Sequence, residues 1–265
     1  MDIRLSAIHL YPVKGIRGIS ADRAMVEKIG LRNDRRWVVV DRDGKFLSQR
    51  SHPQLARVAG KFTDPGLELT APGQPILRLD TPGQASRVKI TVWRDHMEAA
   101  AADPGADDWF SNYLGHPCRL AYMDDVCHRP ISSPQAKPGD SVSFADGYPC
   151  LLVSTASLAD LNGRLDIPLP MDRFRPNLVV EGCDPFAEDT WRKFSLGDVV
   201  FRFAGLCARC SVTTVDQESG VGKSNEPLRT LAGYRQNEKG AVFGVNLIPE
   251  VTGAVSIGDK LTILE

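Results

Sequence analysis

No apolar run in the 265 residues approaches the ~18 needed to cross a bilayer, so no membrane-spanning helix is expected. The opening MDIRLSAIHLYPVKG lacks the basic stretch followed by an apolar core that marks a secretory signal. Neither sign of charge is in excess. The 32 Lys and Arg stand against 33 Asp and Glu, for a net charge of −1, whereas a general nucleic-acid binder would be far more basic. There is no low-complexity tract. SLGDVVF (195–201) and SIGDKLT (256–262) both read as turn-then-strand, but their flanks do not match, so they are not a repeat. What is present is an ordinary globular composition, 42% hydrophobic and 25% charged, which excludes a disordered chain, a collagen and a membrane bundle. The length fits one large domain or two small ones. Six cysteines without a secretion signal imply a reducing compartment, with the cytoplasm expected. There they are buried thiols, metal ligands or reactive groups.

The element pattern is mostly short and β-like. Runs at 4–11, 37–40, 56–62, 67–70, 76–79 and 88–93 are separated by Pro65-Gly66, Pro72-Gly73 and Pro82-Gly83. Asp43-Gly44 signals a hairpin returning through Lys45, Phe46 and Leu47. Such spacing predicts an antiparallel barrel or sandwich, not βαβ winding. A helix is predicted over 107–114, opened by acidic residues and closed by Gly115. The proline-rich stretch 127–139 reads as a linker or loop. Beyond it the pattern predicts strands at 150–154, 178–181, 199–203, 211–215, 241–248 and 260–264. A helix over 158–165 would start at a near-capping box of Ser157 and Asp160. Another, over 226–234, would be capped by Asn225, with Pro227 in its first turn.

Several stretches carry chemistry. Cys207-Ala208-Arg209-Cys210 is a CxxC. A redox pair would need a helix start to lower a thiol's pKa, but a β-branched run follows. Structural zinc would need two more ligands, but no second CxxC exists and all five histidines lie upstream. On spacing alone, two thiols packed in a strand is the favoured reading. QESGVGKS (217–224) ends like a phosphate-binding loop. However, Gln217 stands where that motif requires glycine, and Pro227 interrupts the helix that should follow. It reads as a flexible loop. Three cationic clusters sit at strand ends: Lys14-Gly15-Ile16-Arg17-Gly18, Asn33-Asp34-Arg35-Arg36, and Arg173-Phe174-Arg175-Pro176-Asn177. Glycine lets backbone approach a ligand, and the arginine fork matches phosphate or carboxylate. Singly each reads as solvated charge; converging, they would make an anion pocket. The neighbouring pairs Asp107-Asp108 and Asp124-Asp125 are poor acid/base pairs, because strand neighbours point to opposite faces.

Taken together, YPVKGIRG (11–18), LRNDRRWVVV (31–40), LVSTASLADLNGRL (152–165), FRPNLVVEGCDPFAEDTW (174–191) and CARCSVTTVDQESG (207–220) continuing to EPLRTLAGYR (226–235) resemble one family. They match MOSC proteins with an N-terminal β-barrel domain, a group that includes the mitochondrial amidoxime-reducing component and its bacterial relatives. The resemblance runs in family order over essentially the whole chain. It implies a mainly β fold with a few helices (α+β). Two β-barrel-like lobes, of about 1–120 and 130–265, would flank a cofactor cleft. The implied cofactor is the molybdenum cofactor, Mo-molybdopterin, with Cys210 as the metal's protein ligand; a soft thiolate suits a site already rich in sulfur. Cys207 matches a non-ligand position. Lys14, Arg35, Arg175, Asn177 and Arg209 match residues that hold the pterin and phosphate, and Arg36 beside Arg35 leaves a one-residue ambiguity. Asp146 matches an acidic residue near the metal, positioning substrate or water. Gly15, Ala208 and Asn246 stand where relatives have serine, serine and tyrosine; these positions line the cofactor and bear on substrate preference.

The implied activity is reduction of N-hydroxylated small molecules: hydroxylamines, amidoximes and hydroxylated base analogues. Some bacterial relatives carry a C-terminal iron–sulfur domain. This chain stops at Glu265 without a four-cysteine pattern. Electrons are therefore expected from a separate flavoprotein, ferredoxin or haem protein. The competing reading is a non-redox cofactor carrier or sulfur-transfer protein acting through a Cys210 persulfide. A third is a binding module that has lost its chemistry.

Overall fold

The computed structural model describes residues 2–64, 66–83, 86–222 and 224–265. The Pro65 half of the predicted Pro65-Gly66 turn and the lysine of the 217–224 loop lie outside these residues.

Among the described residues the architecture is mainly β with three α-helices, the class predicted. The largest sheet has nine strands. Its path runs Leu261–Ile263, Lys193–Leu196, Val199–Ala208, Gly240–Val251, Cys150–Ser154, Leu178–Glu181, Arg4–Leu10 and Ile19–Ala21, with Gln236–Asn237 paired off the path. The first strand and Ile19–Ala21 thus join a sheet otherwise built from the C-terminal half, with Ile8 opposite Leu178. One pair in it, Cys150–Ser154 with Leu178–Glu181, is parallel and is crossed over by the helix Thr155–Asn162. A three-stranded sheet again mixes the two halves: Gly253–Ser256 pairs Arg23–Glu27, which pairs Gly30–Leu31. The N-terminal half contributes a four-stranded sheet (Trp37–Asp41, Cys118–Tyr122, Asp95–Ala101, Arg87–Val92) and a three-stranded one (Ala59–Phe62, Leu67–Thr70, Leu77–Leu79).

Trp37–Asp41 shows why an unbroken apolar run forms a strand here. Side chains alternate across the sheet. Trp37 and Val39 enter a core with Leu55, Phe110 and Leu120, while Val38 and Val40 enter another with Ile90 and Phe144. Both faces are buried, so both must be apolar.

Several predicted elements shift, each for a local reason. The first helix spans Pro104–Leu114, not 107–114. Asp103 caps it by accepting from the Gly105 amide, Pro104 occupies the first turn, and Gly115 closes it at φ 77°. The second is Thr155–Asn162, capped by Ser154, whose hydroxyl accepts from the Ser157 amide at 3.0 Å. Asp160 pairs with Arg164 instead of closing a capping box. The third is Leu228–Tyr234. Its early amide, that of Thr230, is met by the Glu226 carboxylate and not by an Asn225 side chain. The predicted strand 211–215 is a 3-10 helix, Ser211–Thr214. Its β-branched residues misled because the Thr213 and Thr214 hydroxyls bond back to the carbonyls of Cys210 and Ser211. The predicted strand 56–62 begins at Ala59, Ala56 and Arg57 being in the 3-10 helix Pro53–Arg57. Lys45, Phe46 and Leu47 return only through isolated bridges and single backbone bonds. Strands Asp95–Ala101 and Cys118–Tyr122 went unpredicted; DHMEAAA has little β-propensity, and pairing with Arg87–Val92 makes it a strand.

Candidate functional site

The strand Val199–Ala208 bends at register shifts between Phe203 and Gly205 and between Leu206 and Ala208. Bulges re-aim a strand, and here the bend delivers Cys207, Ala208, Arg209 and Cys210 to the wall of one cleft. Cys210 lies two residues beyond the strand and is the N-cap of Ser211–Thr214.

Of the residues singled out from the sequence, Lys14, Gly15, Arg35, Asp146, Arg175, Asn177, Ala208, Arg209, Cys210 and Asn246 all line this cleft. All three cationic clusters meet in it. Arg36 does not: it turns away to donate to the Met123 carbonyl and stands over Tyr122, lining a separate small pocket with Asn33 and Trp37. Of the two adjacent arginines, Arg35 is the one that faces the cleft. Backbone geometry explains the divergence, since Arg35 is held left-handed at φ 49°. Arg175 shares this at φ 55°. Such strain in bulky residues persists only where the surroundings over-determine it.

The surroundings do so through Tyr11, which the sequence reading left unassigned. Its buried ring lies 4.3 Å from the Arg35 guanidinium and 4.1 Å from that of Arg175. Its hydroxyl donates to the Pro176 carbonyl. Burial pushes the phenol up to about 12, so it stays protonated. Arg35 also donates to Asp34 at 2.6 Å and to the Asn177 Oδ1 at 3.1 Å. Asn177, almost fully buried, in turn donates to the His9 carbonyl. Asn177 therefore joins the strand Arg4–Leu10 to the Arg35 side chain. Asn246 sits in register opposite Leu151 and Gly205, at the bulge. Ala208 pairs with Val242. Gly15 stands at φ 93°, a conformation that favours glycine.

Lys14 is buried, donating to the Phe144 carbonyl and the Asp146 carboxylate. Burial lowers its ammonium to about 8, against the opposing pull of Asp146. The surrounding cleft walls raise Asp146, whose side chain is itself largely exposed, but Lys14 beside it outweighs this and holds the carboxyl well below the usual range. Arg209 donates to the Cys207 sulfur at 2.9 Å and to the Phe174 carbonyl at 2.6 Å. Burial raises the Cys207 thiol despite Arg209. Cys207 is thus a neutral acceptor that orients an arginine.

Sequence reasoning missed Gln49, Arg50 and Gln217. Gln217 opens the loop that follows the 3-10 helix Ser211–Thr214, and its side chain is 3% exposed. Its amide and that of Gln49 bond reciprocally at 2.9 and 3.0 Å. Gln49 also donates to the Gly15 carbonyl, and Arg175 reaches Gln217 at 3.4 Å. Arg50 reaches Cys210 and Asp146. No local pattern marks such residues, because the partners named here lie 34 to 168 positions away.

The electrostatics favour an anionic occupant. Lys14, Arg35, Arg50, Arg175 and Arg209 line the cleft against one carboxylate, Asp146. Among the described residues, neither Arg175 nor Arg209 has a carboxylate within ion-pair distance, and the Arg209 Nε is buried without a partner. Orphaned buried donors are costly, and a phosphate-bearing pterin would supply acceptors for them. A thiolate at the same wall suits a soft metal site. The residues present fit the group.

Comparison with known proteins agrees. Residues 2–117 match the MOSC N-terminal beta barrel domain, and residues 139–262 match the MOSC domain. The human mitochondrial amidoxime-reducing component 1 is 32% identical over 98% of this chain and 82% of its own length. The chain belongs to this MOSC family. The Bos taurus mitochondrial amidoxime reducing component 2 is 34% identical over 97% of this chain and 82% of its own. A molybdenum cofactor sulfurase from Oryza sativa is 31% identical over 93% of this chain but only 32% of its own. The family is associated with the molybdenum cofactor. Among the described residues, no helix is long and apolar enough to cross a membrane.

Proposed function

We propose that this chain is a molybdenum-cofactor reductase of N-hydroxylated compounds (hydroxylamines, amidoximes and N-hydroxylated base analogues), supplied with electrons by a separate flavoprotein, ferredoxin or haem protein in the cytoplasm. The net reaction is R–NHOH + 2 electrons + 2 protons → R–NH2 + H2O. The observation that carries the reading is Cys210 at the wall of a cleft whose cations outnumber its carboxylates and whose Arg209 Nε lacks an acceptor. When bound, the molybdenum cofactor supplies the two-electron reduction of the N–O bond. Arg35, Arg175, Arg209 and Lys14 hold its anionic groups, Asn177 fixes Arg35, and Cys210 contributes the protein sulfur to the metal. Asp146, with its side chain 61% exposed at the cleft, orients substrate or water. The proposed domains, about 1–120 and 130–265, both contribute residues there, and the strands Arg4–Leu10 and Arg23–Glu27 of the first pair with strands of the second. Gly15, Ala208 and Asn246 present little side chain to the cleft, which favours a roomier substrate end.

The alternative is transfer of sulfur through a Cys210 persulfide. The plant relative named a cofactor sulfurase favours it. One experiment separates the two: molybdenum and pterin content of wild type and Cys210→Ala from a host that makes the cofactor, with hydroxylamine turnover on an artificial donor. Near-stoichiometric metal and turnover in wild type, lost or altered in the variant, is the expected result. No molybdenum or pterin in wild type overturns the reductase and turns attention to sulfur transfer.

A further inference from the structure

Arg50 belongs to none of the motifs that mark the cleft, yet it reaches the sulfur of Cys210. Its Nε–H donates to the Cys210 Sγ at 3.4 Å. One terminal nitrogen lies 3.7 Å from Asp146. The flat guanidinium lies 4.3 Å from the centre of the Trp93 ring. Three features hold it there. The turn that carries it is closed by the Ser51 and His52 amides on the Ser48 carbonyl. The neighbouring Gln49 is locked to Gly15 and Gln217. Trp93 reaches over from the turn between the strands Arg87–Val92 and Asp95–Ala101, at φ 61° and 45% exposed. A tryptophan that is both left-handed and half in water is held for a reason other than core packing. Its ring leans on Phe46, and its indole N–H donates to Asp146 at 3.3 Å.

We propose that Arg50 is a positioning residue for the Cys210 sulfur, with Trp93 and Asp146 as the clamp that aims it. The inference rests on the functional reading above in taking Cys210 as the reacting or ligating sulfur. A charge-assisted N–H on a thiolate draws electron density from it. In a metal-bound thiolate this stabilises the electron-rich reduced state and raises the metal's potential. In the free sulfur it draws anionic reagents toward Cys210.

Two measurements test it. In protein freed of cofactor, alkylation at Cys210 is followed by peptide mass spectrometry with iodoacetate and with the uncharged iodoacetamide at low salt. Arg50→Met is expected to lower the iodoacetate-to-iodoacetamide rate ratio several-fold, and Arg50→Lys to restore part of it. Trp93→Ala should behave toward Arg50→Met, while Trp93→Phe, which keeps a ring under the guanidinium, should stay near wild type. Arg94→Gln, exposed on the same turn, is the control. In cofactor-loaded protein, EPR-monitored redox titration is expected to show a lower molybdenum midpoint potential and shifted g-values in Arg50→Met. An unchanged ratio, or an unchanged potential in a loaded variant, overturns the role of Arg50. Absence of molybdenum from wild type overturns the reductase reading instead, and the alkylation ratio still decides for or against Arg50.

Discussion

Lys14 shows how one residue carries both stability and binding. Burial lowers its ammonium to about 8 from an ordinary 10.5. Between those values the unfolded chain binds the proton more readily than the fold, so this group's contribution to stability rises with pH across that window. Anion binding runs the other way, because above about 8 the cleft loses a cation. Pterin retention after dialysis should therefore fall between pH 7 and pH 9.5, by up to about tenfold in affinity per pH unit. Lys14→Met should retain less at both pH values and lose the dependence; equal pH dependence in the variant would rule Lys14 out. Residue types were legible from sequence at this scale, since Lys14, Arg175, Asn177 and Arg209 were all singled out. Side-chain direction was not. Arg35 and Arg36 are adjacent and chemically identical, and only the left-handed backbone at Arg35, wedged against Tyr11, sends one into the cleft.

At the scale of elements, side-chain caps join segments far apart in sequence. Glu188 is buried, and its Oε1 accepts from the Ser154 amide at 3.1 Å and the Ser157 hydroxyl at 2.7 Å. It thereby pins the start of the helix Thr155–Asn162 to the acidic 183–191 segment. Glu188→Ala strands both donors and should destabilise by about 1–3 kcal/mol, read as a lower urea midpoint at unchanged m-value. Asp103→Ala removes a single cap and should cost about 1 kcal/mol. A Glu188→Ala loss no larger than that of Asp103→Ala would mean the buried carboxylate is not the pin. The strand-rich class could be read from short β-like runs and regular turns. Element ends could not, because the deciding partners lie elsewhere: Glu188 for the second helix, and threonine hydroxyls for the turn after Cys210.

The whole molecule closes the site by threading its two ends together. The strand Arg4–Leu10 pairs with Leu178–Glu181, which brings the segment of Lys14 beside that of Arg175. The reciprocal amides of Gln49 and Gln217 clasp the same region from the other side. A double-mutant cycle on Gln49→Ala and Gln217→Ala should give a coupling of about 0.5–3 kcal/mol. Each single variant should release pterin faster than wild type, because Gly15 and Arg175 lose a partner. Additive effects would mean the two amides act independently.

The sequence by itself determined the chemical inventory: a mainly β chain without charge excess, cations at three strand ends, and a cysteine directly after an arginine. Its local patterns and family likeness reach that far because apolar alternation, turns and motifs act over a few residues. Tertiary structure alone decided the convergence of the three clusters and the choice between Arg35 and Arg36. It also decided the buried state of Gln217 and the contact of Arg50 with Cys210. Each depends on pairing or packing between residues tens to hundreds of positions apart, or on a single backbone angle held by such packing, and short-range propensity encodes neither.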